Sequence, residues 1–368
     1  MKQLYSLAIG LCFIFTSVAQ QTNRTVTVSG VTRNYIQYLP VGFDPQTEQL
    51  PVVIILHGLG GTNAQMVSAG FNNIADTARV IALYPQAKNN AYNQSAWNNG
   101  TLLGSTAADI NFMHQLIDSA ILTYNADPTR IYATGFSMGS IMSHHMACVM
   151  NNRIAAIGAM SGTMPTSDIQ SCVPSYATPV IHLHGTADGT VPYDGTALPS
   201  LSLVPQTIAF WQNVHGCSAS ADSLRYSDLA ADNITVDRFR YDNCNPTASL
   251  ELWRFNGADH QFLYRPLNDI NEMMEVWLFL RKWQHSNPAT AGIQNATAIQ
   301  LKAFPNPTEG AITITSSHAT SFVVTDVMGH TIQNGSLSQG STNIDLSLFP
   351  SGIYFLNAGS HSLKLFKY

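Results

Sequence analysis

The sequence predicts an α/β domain with a mostly parallel central sheet, followed by a small all-β domain. Two observations carry this. Continuous apolar runs bounded by Pro and Gly recur up to residue 185, with helical patterns between them. Near Ser286 the composition turns small and polar, and short β segments then fill the rest of the chain.

The first segment reads MKQLYSLAIGLCFIFTSVAQQ. Lys2, an apolar run from Leu7 to Phe15 and a small-residue Ser17-x-Ala19 site form the pattern of a signal peptide over residues 1–19. The run is too short to span a bilayer, so no transmembrane segment is expected in the mature chain. Cys12 lies inside the run, where a lipid-attachment cysteine is not expected.

Residues 20–285 read as the α/β domain. RTVTVSGVTRNYIQYLP (24–40) alternates apolar and polar around Gly30, an antiparallel strand pair. Val52 to Leu56 is continuously apolar, as are VIALYP (80–85), RIYATGF (130–136), RIAAIGAM (153–160) and TPVIHLHG (178–185). Such runs mark strands buried on both faces. In 106–125 the positions Ile110, Met113, Ile117 and Ile121 share a helical face. SMGSIMSHHMACVM directly follows the RIYATGF strand and reads as a helix, and 266–284 reads as a last amphipathic helix opened by Pro266. Alternating strands and helices imply a parallel sheet covered on both sides. Residues 286–299 (SNPATAGIQNATA and its neighbour) read as a linker, and 300–368 as a β-sandwich-like domain of short strands.

Charged residues make up 11% of the chain and the net charge is -5, with no Lys/Arg cluster. That balance argues against a nucleic-acid partner and favours neutral or weakly polar substrates. With Cys12 removed, Cys148, Cys172, Cys217 and Cys244 remain, an even number in an exported chain. Three connectivities are open. Nearest-neighbour pairing, Cys148–Cys172 and Cys217–Cys244, is the expected one because it closes two local loops.

The chemistry centres on Gly135-Phe136-Ser137-Met138-Gly139. G-x-S-x-G is weak alone, but here it joins an apolar strand to a helix, the setting of a nucleophile elbow. Small residues must flank a serine on so sharp a turn. On this kind of fold the acid and base follow the serine in the order Ser, Asp or Glu, His. His260 lies in a loop after the strand SLELWRF and is the expected base; His215 ends a helix beside Cys217, and His285 borders the linker. Asp188 follows PVIHLHG at the same sheet edge and is the expected acid, ahead of Asp194 and of Asp259, which adjoins the histidine. His57-Gly58-Leu59-Gly60-Gly61 follows the first core strand, where glycines let backbone amides approach a substrate. Leu59 and Met138 are the expected oxyanion donors. Trp97, Tyr193 and Phe262 are candidate substrate contacts. His144-His145 and His182-x-His184 lack a third ligand at metal-binding spacing, so no metal or cofactor is expected.

With these residues in place, the chain resembles the extracellular polyhydroxybutyrate depolymerase and feruloyl esterase group of carbohydrate esterase family one. LHGLGG, YPQA, the Trp97-Asn98 pair, DPTRIYATGFSMGS, HGTADGTVPY, FWQNVHGC and NGADH carry the resemblance over residues 24–285. It implies an α/β-hydrolase fold, a serine esterase, and Ser137, Asp188 and His260 as its triad. The loop after the histidine departs from the family pattern, with Phe262 where tryptophan is usual. The tail resembles the type IX secretion sorting domain, through FPNPTEG (304–310), VTDVMGH (324–330), NIDLSLFPSGIYFL (343–356) and a basic KLFKY end. That implies a partner in the type IX secretion machinery and a secreted or cell-surface location.

The expected substrates are feruloyl or acetyl esters of plant polysaccharide, with polyhydroxybutyrate as the alternative. A prolyl-oligopeptidase-like serine peptidase is the rival from another class. A neutral histidine base implies activity falling below roughly pH 6.

Overall fold

The sheet is built on the five apolar runs. The computed structural model describes residues 20–289, 301–316, 319–326, 331–358 and 361–368. The expected signal peptide, most of the expected linker and residues 327–330 of the tail motif lie outside these. The chain divides into two compact units near residue 291.

In the first unit, β1 (Gln20–Val28) and β2 (Val31–Leu39) form the expected antiparallel pair. β3 (Val52–Leu56), β4 (Ile81–Pro85), β5 (Ile131–Phe136), β6 (Ala156–Met160) and β7 (Val180–Gly185) follow. β8 (Ala221–Tyr226), β9 (Thr235–Tyr241) and β10 (Leu250–Asn256) complete the sheet, in the order β1-β2-β4-β3-β5-β6-β7-β10-β9-β8. The pairings from β4 through β3, β5, β6 and β7 to β10 are parallel, and both flanks are antiparallel. This is the mostly parallel sheet of an α/β-hydrolase fold.

Alternate side chains of each strand enter different cores, as a period of two requires. Val52, Ile54 and Leu56 pack with α3 (Asp109–Tyr124), α4 (Met138–Val149) and α6 (Val204–His215). Val53 and Ile55 pack with α1 (Asn63–Ser68), α2 (Phe71–Ala78) and α7 (Glu272–Leu280). A short helix, α5 (Thr166–Ser171), follows β6.

The last helix departs from expectation. It begins at Glu272, where the Asn271 side chain caps it by accepting from the Met274 amide. Pro266 belongs to the preceding loop. A capping oxygen satisfies an otherwise unpaired amide, whereas proline at the first turn only avoids creating one. Cys148 is bonded to Cys172 and Cys217 to Cys244, so the disulfides pair as nearest neighbours.

The second unit consists of antiparallel sheets. β11 (Lys302–Phe304), β12 (Ala311–Ser316) and β15 (Gly340–Asp345) form one. β13 (Thr320–Thr325), β14 (Thr331–Leu337), β16 (Gly352–Ala358) and β17 (His361–Lys367) form the other, ordered β14-β13-β16-β17. Ile312, Ile314 and Ile344 from one sheet and Val324, Leu356 and Leu365 from the other meet in a single core.

Candidate active site

β5 ends at Phe136 and α4 begins at Met138, leaving Ser137 alone on the turn between them. Its backbone sits at φ 56° and ψ -121°, a strained conformation for a residue with a Cβ. Two glycines make room for that turn. A Cβ on Gly139 would overlap the Leu56 carbonyl oxygen, and one on Gly135 would strike the Gly139 backbone. The Ser137 amide donates to the Met160 carbonyl at 2.8 Å, which ties the elbow to the neighbouring strand.

The glycine loop after β3 lies beside the elbow, with a Cβ on Gly58 standing 3.3 Å from that of Ser137. His57 anchors this loop. Its Nδ1 donates to the Gly58 carbonyl at 2.7 Å, and its Nε2 accepts from the Ala87 amide at 3.1 Å. Burial pushes its pKa down, with the Gly58 bond opposing. Both nitrogens are engaged as those of a neutral structural histidine.

Trp97 requires a correction. Expected to stack on a substrate, it is fully buried; its Nε1 donates to the His57 carbonyl at 2.8 Å and its ring lies 4.9 Å from the imidazole. It supports the glycine loop from beneath. An indole with a buried N–H needs an acceptor, and the loop carbonyl supplies one.

Asp188 and His260, the expected acid and base, hang from parallel neighbours, the loops after β7 and β10. Asp188 Oδ2 accepts from His260 Nδ1 at 2.7 Å. Asp188 Oδ1 accepts from the amides of Thr190 at 2.9 Å and Val191 at 2.7 Å. Burial alone would raise the Asp188 pKa. Hydrogen bonds from His184, His260 and the Val191 amide outweigh it and hold the carboxyl well below the usual range. Asp188 is therefore a buried, ionised partner for the imidazole.

Asp259 has a different job from the one weighed for it. It is exposed, and its Oδ1 accepts from the Gly189 amide at 3.0 Å and the His260 amide at 2.7 Å, clamping the two loops together. Thr186 Oγ1 adds a second clamp by accepting from the Gly257 amide at 3.0 Å. Asp194 is exposed, while His215 and His285 are bonded to the Thr178 and Asn151 carbonyls. None of these three joins the site.

Two cavities meet at Ser137. One, about 1010 Å³, is lined by Ser137, His260, Phe262, Gln65, Arg265 and Asn271 among others. The other, about 330 Å³, is lined mainly by Leu59, Leu102, Leu103, Met138, Ile141 and Leu201. Phe262 stacks on Phe136 with ring centroids 4.2 Å apart, and Phe136 lies 4.8 Å from the His260 ring. Phe262 thus both walls the larger cavity and braces the imidazole through its neighbour. Tyr193 is also placed differently from expectation. It lines a separate hollow with Phe239 and Arg254, and its ring lies edge-on to His184 at 6.0 Å.

Among the described residues, the group close enough to share a cation is Asp228, Asp232 and Asp269. Their oxygens accept from backbone amides of Leu229, Ala230, Asp232, Asn233 and Ile234. The buried histidines His182 and His184 bond to each other at 3.2 Å and do not converge on a common point. No helix of the described residues is long and apolar enough to cross a membrane.

Residues 43–199 match the phospholipase/carboxylesterase family, and residues 302–367 match the secretion system C-terminal sorting domain. Among curated proteins, the chain is 25% identical to a bifunctional acetylxylan esterase/xylanase of Neocallimastix patriciarum, over 71% of this chain and 35% of that protein. It is 26% identical to feruloyl esterase B of Piromyces equi, over 62% of this chain and 42% of the relative. A match at 26% identity to poly(3-hydroxyalkanoate) depolymerase C of Paucimonas lemoignei spans 30% of this chain and 28% of the relative. The chain thus spans about half or less of the length of these relatives. The first of the two family matches covers less than half of the chain and precedes the second.

Proposed function

We propose that the chain is a secreted serine carboxylic-ester hydrolase that releases an apolar acyl group, of the feruloyl kind, from a plant polysaccharide. The observation that carries the catalytic reading is the 2.7 Å bond between buried Asp188 and His260, with His260 and Ser137 on the wall of one cavity. Ser137 attacks the ester carbonyl while His260 accepts its proton. The amides of Leu59 and Met138 hold the oxyanion, and His260 returns the proton to the departing alcohol. Water then repeats the sequence on the acyl-enzyme. Asp188 keeps the Nδ1–H tautomer and stabilises the imidazolium without taking the proton.

The two cavities support the substrate. His260 lines the larger one, so the alcohol it protonates leaves on that side, among Gln65, Ser68, Arg265 and Asn271. Those groups suit a hydroxyl-rich sugar. The acyl group then occupies the smaller cavity over Met138, which carries no charged side chain. Its volume of about 330 Å³ exceeds what an acetyl group fills, which favours a feruloyl-sized acyl group. A polyester offers the same repeating unit on both sides of the scissile bond, so unlike cavities support a polysaccharide ester over polyhydroxybutyrate. The sorting domain supports type IX export and an extracellular or cell-surface location.

The test is acid release by the full chain from methyl ferulate, acetylated xylan and polyhydroxybutyrate, with Ser137→Ala as control. Ferulate release lost in the variant is the expected result. Hydroxybutyrate release alone would overturn the substrate, and activity surviving in Ser137→Ala would overturn the mechanism.

A further inference from the structure

A second imidazole besides that of His260 stands against Asp188 Oδ2. His184 Nε2 lies 3.3 Å from it and 2.8 Å from the Val191 carbonyl. His184 is the end of a longer chain. Its Nδ1 meets His182 Nε2 at 3.2 Å, His182 Nδ1 meets His144 Nε2 at 3.2 Å, and Trp211 Nε1 donates to His144 Nδ1 at 3.1 Å. All four side chains are fully buried. The chain crosses three elements: Trp211 is on α6, His144 on α4, and His182 and His184 share one face of β7.

The chemistry of the two ends dictates the direction of every bond between them. An indole N–H can only donate, so His144 Nδ1 accepts. An ionised carboxylate and a carbonyl can only accept, so His184 Nε2 donates. Three neutral imidazoles, each with one donor and one acceptor, satisfy both ends in a single way: each carries its proton on Nε2. An imidazolium anywhere in the series would point two N–H groups at each other. In keeping with this, burial pushes the His144 pKa down to about 3 and that of His182 well below its ordinary value.

We infer that Trp211, His144, His182 and His184 form a one-way hydrogen-bond chain that positions the Asp188 carboxylate for His260. The inference rests on Ser137, Asp188 and His260 acting as the triad. The chain makes His184 present an N–H, never a lone pair, to the carboxylate. The Thr190 and Val191 amides and His260 donate to Asp188, and the His184 N–H, bonded to the Val191 carbonyl, keeps its positive end 3.3 Å from Oδ2. The carboxylate is then held in one orientation. Trp211, His144 and His182 touch no reacting atom and act only through His184.

The direct test is nitrogen NMR of the full chain labelled in its histidines. Nε2–H tautomers at His144, His182 and His184 are expected, and an Nδ1–H form at any of the three overturns the inference. This measurement needs no turnover, so it stands apart from the Ser137→Ala test of the triad. The second test compares His182→Leu, which interrupts the chain, with His182→Gln, whose amide can accept from His144 and donate to His184. We expect kcat to fall at least tenfold in His182→Leu at unchanged KM, with His182→Gln recovering part of it. Equal kcat in the two variants, or wild-type kcat in His182→Leu, overturns the positioning role.

Discussion

The two hollows that meet at Ser137 are made by different means. On the Met138 side, aliphatic side chains come from α4 and from two surface loops, 101–103 and 198–201, joined where the Leu102 amide donates to Ser200 Oγ at 3.1 Å. On the His260 side, the wall combines the glycine loop with the loop after β10 and sets polar groups such as Gln65, Ser68, Arg265 and Asn271 among apolar ones such as Met66, Phe262 and Met273. An apolar pocket selects by volume and by excluding water, whereas a polar groove selects by leaving unmatched partners unpaired. On the proposed reading the two sides take the two halves of the ester, and mutations on them should separate in the same way.

The largest effect should ignore the division. Asp188→Asn is expected to lower kcat about 10⁴-fold, by allowing the wrong imidazole tautomer. The factor should be the same for ferulate and acetate esters; a loss confined to one acyl series would mean that Asp188 shapes a pocket instead of orienting the base. Next comes the apolar side. Leu198→Trp should fill part of the smaller cavity and cost about 10²-fold in kcat/KM on methyl ferulate. Acetate esters should be nearly unaffected, and equal losses on both would place the acyl group elsewhere.

A smaller change is expected in the groove. Arg265→Ala removes an exposed guanidinium whose Nε donates to the Asp269 carbonyl at 2.8 Å. Loss of one hydrogen bond of about 1 kcal/mol should raise KM roughly fivefold on feruloylated oligosaccharides. Methyl ferulate kinetics should not move, because its alcohol is too small to reach this residue.

The smallest effect on turnover, but a clear one on stability, concerns Glu272 at the start of α7. Its Oε1 accepts from the Leu263 amide at 3.2 Å, holding the loop just past Phe262, and its Oε2 is buried without a partner. Burial, only partly opposed by the Leu263 bond, raises its pKa to about 8. The folded protein therefore binds this proton more tightly than the unfolded chain. Stability from this group is fully present below the ordinary carboxyl pKa and is lost as pH rises toward 8. Glu272→Gln should flatten that slope and raise stability at pH 8 by the order of a few kcal/mol, with little change at pH 4. Thermal melts of both proteins at the two pH values check it.

Much of this was legible in residues alone, for identifiable reasons. Strands buried on both faces cannot tolerate polar residues, so Val52–Leu56 and its four counterparts stand out. The elbow needs glycine on both sides of its serine, so Ser137 stands out too. The edge strands β8 and β9 carry no such mark: ADSLRY and TVDRFRY are partly exposed and mix charge with apolar residues. Short helices such as α1 and α5 offer a single turn or so of pattern. Trp97 misled because an aromatic beside Asn and Gly reads as a loop residue, and nothing local says that the His57 carbonyl waits above it.

The sequence by itself determined the layer order, the strand–serine–helix elbow and the change of character after Ser286, because each follows from local spacing and from what a strand or turn will accept. Only the tertiary structure decided that His184 bonds the Val191 carbonyl, that Asp259 clamps two loops, and that two unlike hollows adjoin one serine. Those features depend on side chains brought together from distant parts of the chain, 72 residues apart for Asp188 and His260 and 67 for His144 and Trp211. Hydrogen bonding acts over about 3 Å, and only folding brings such residues that close.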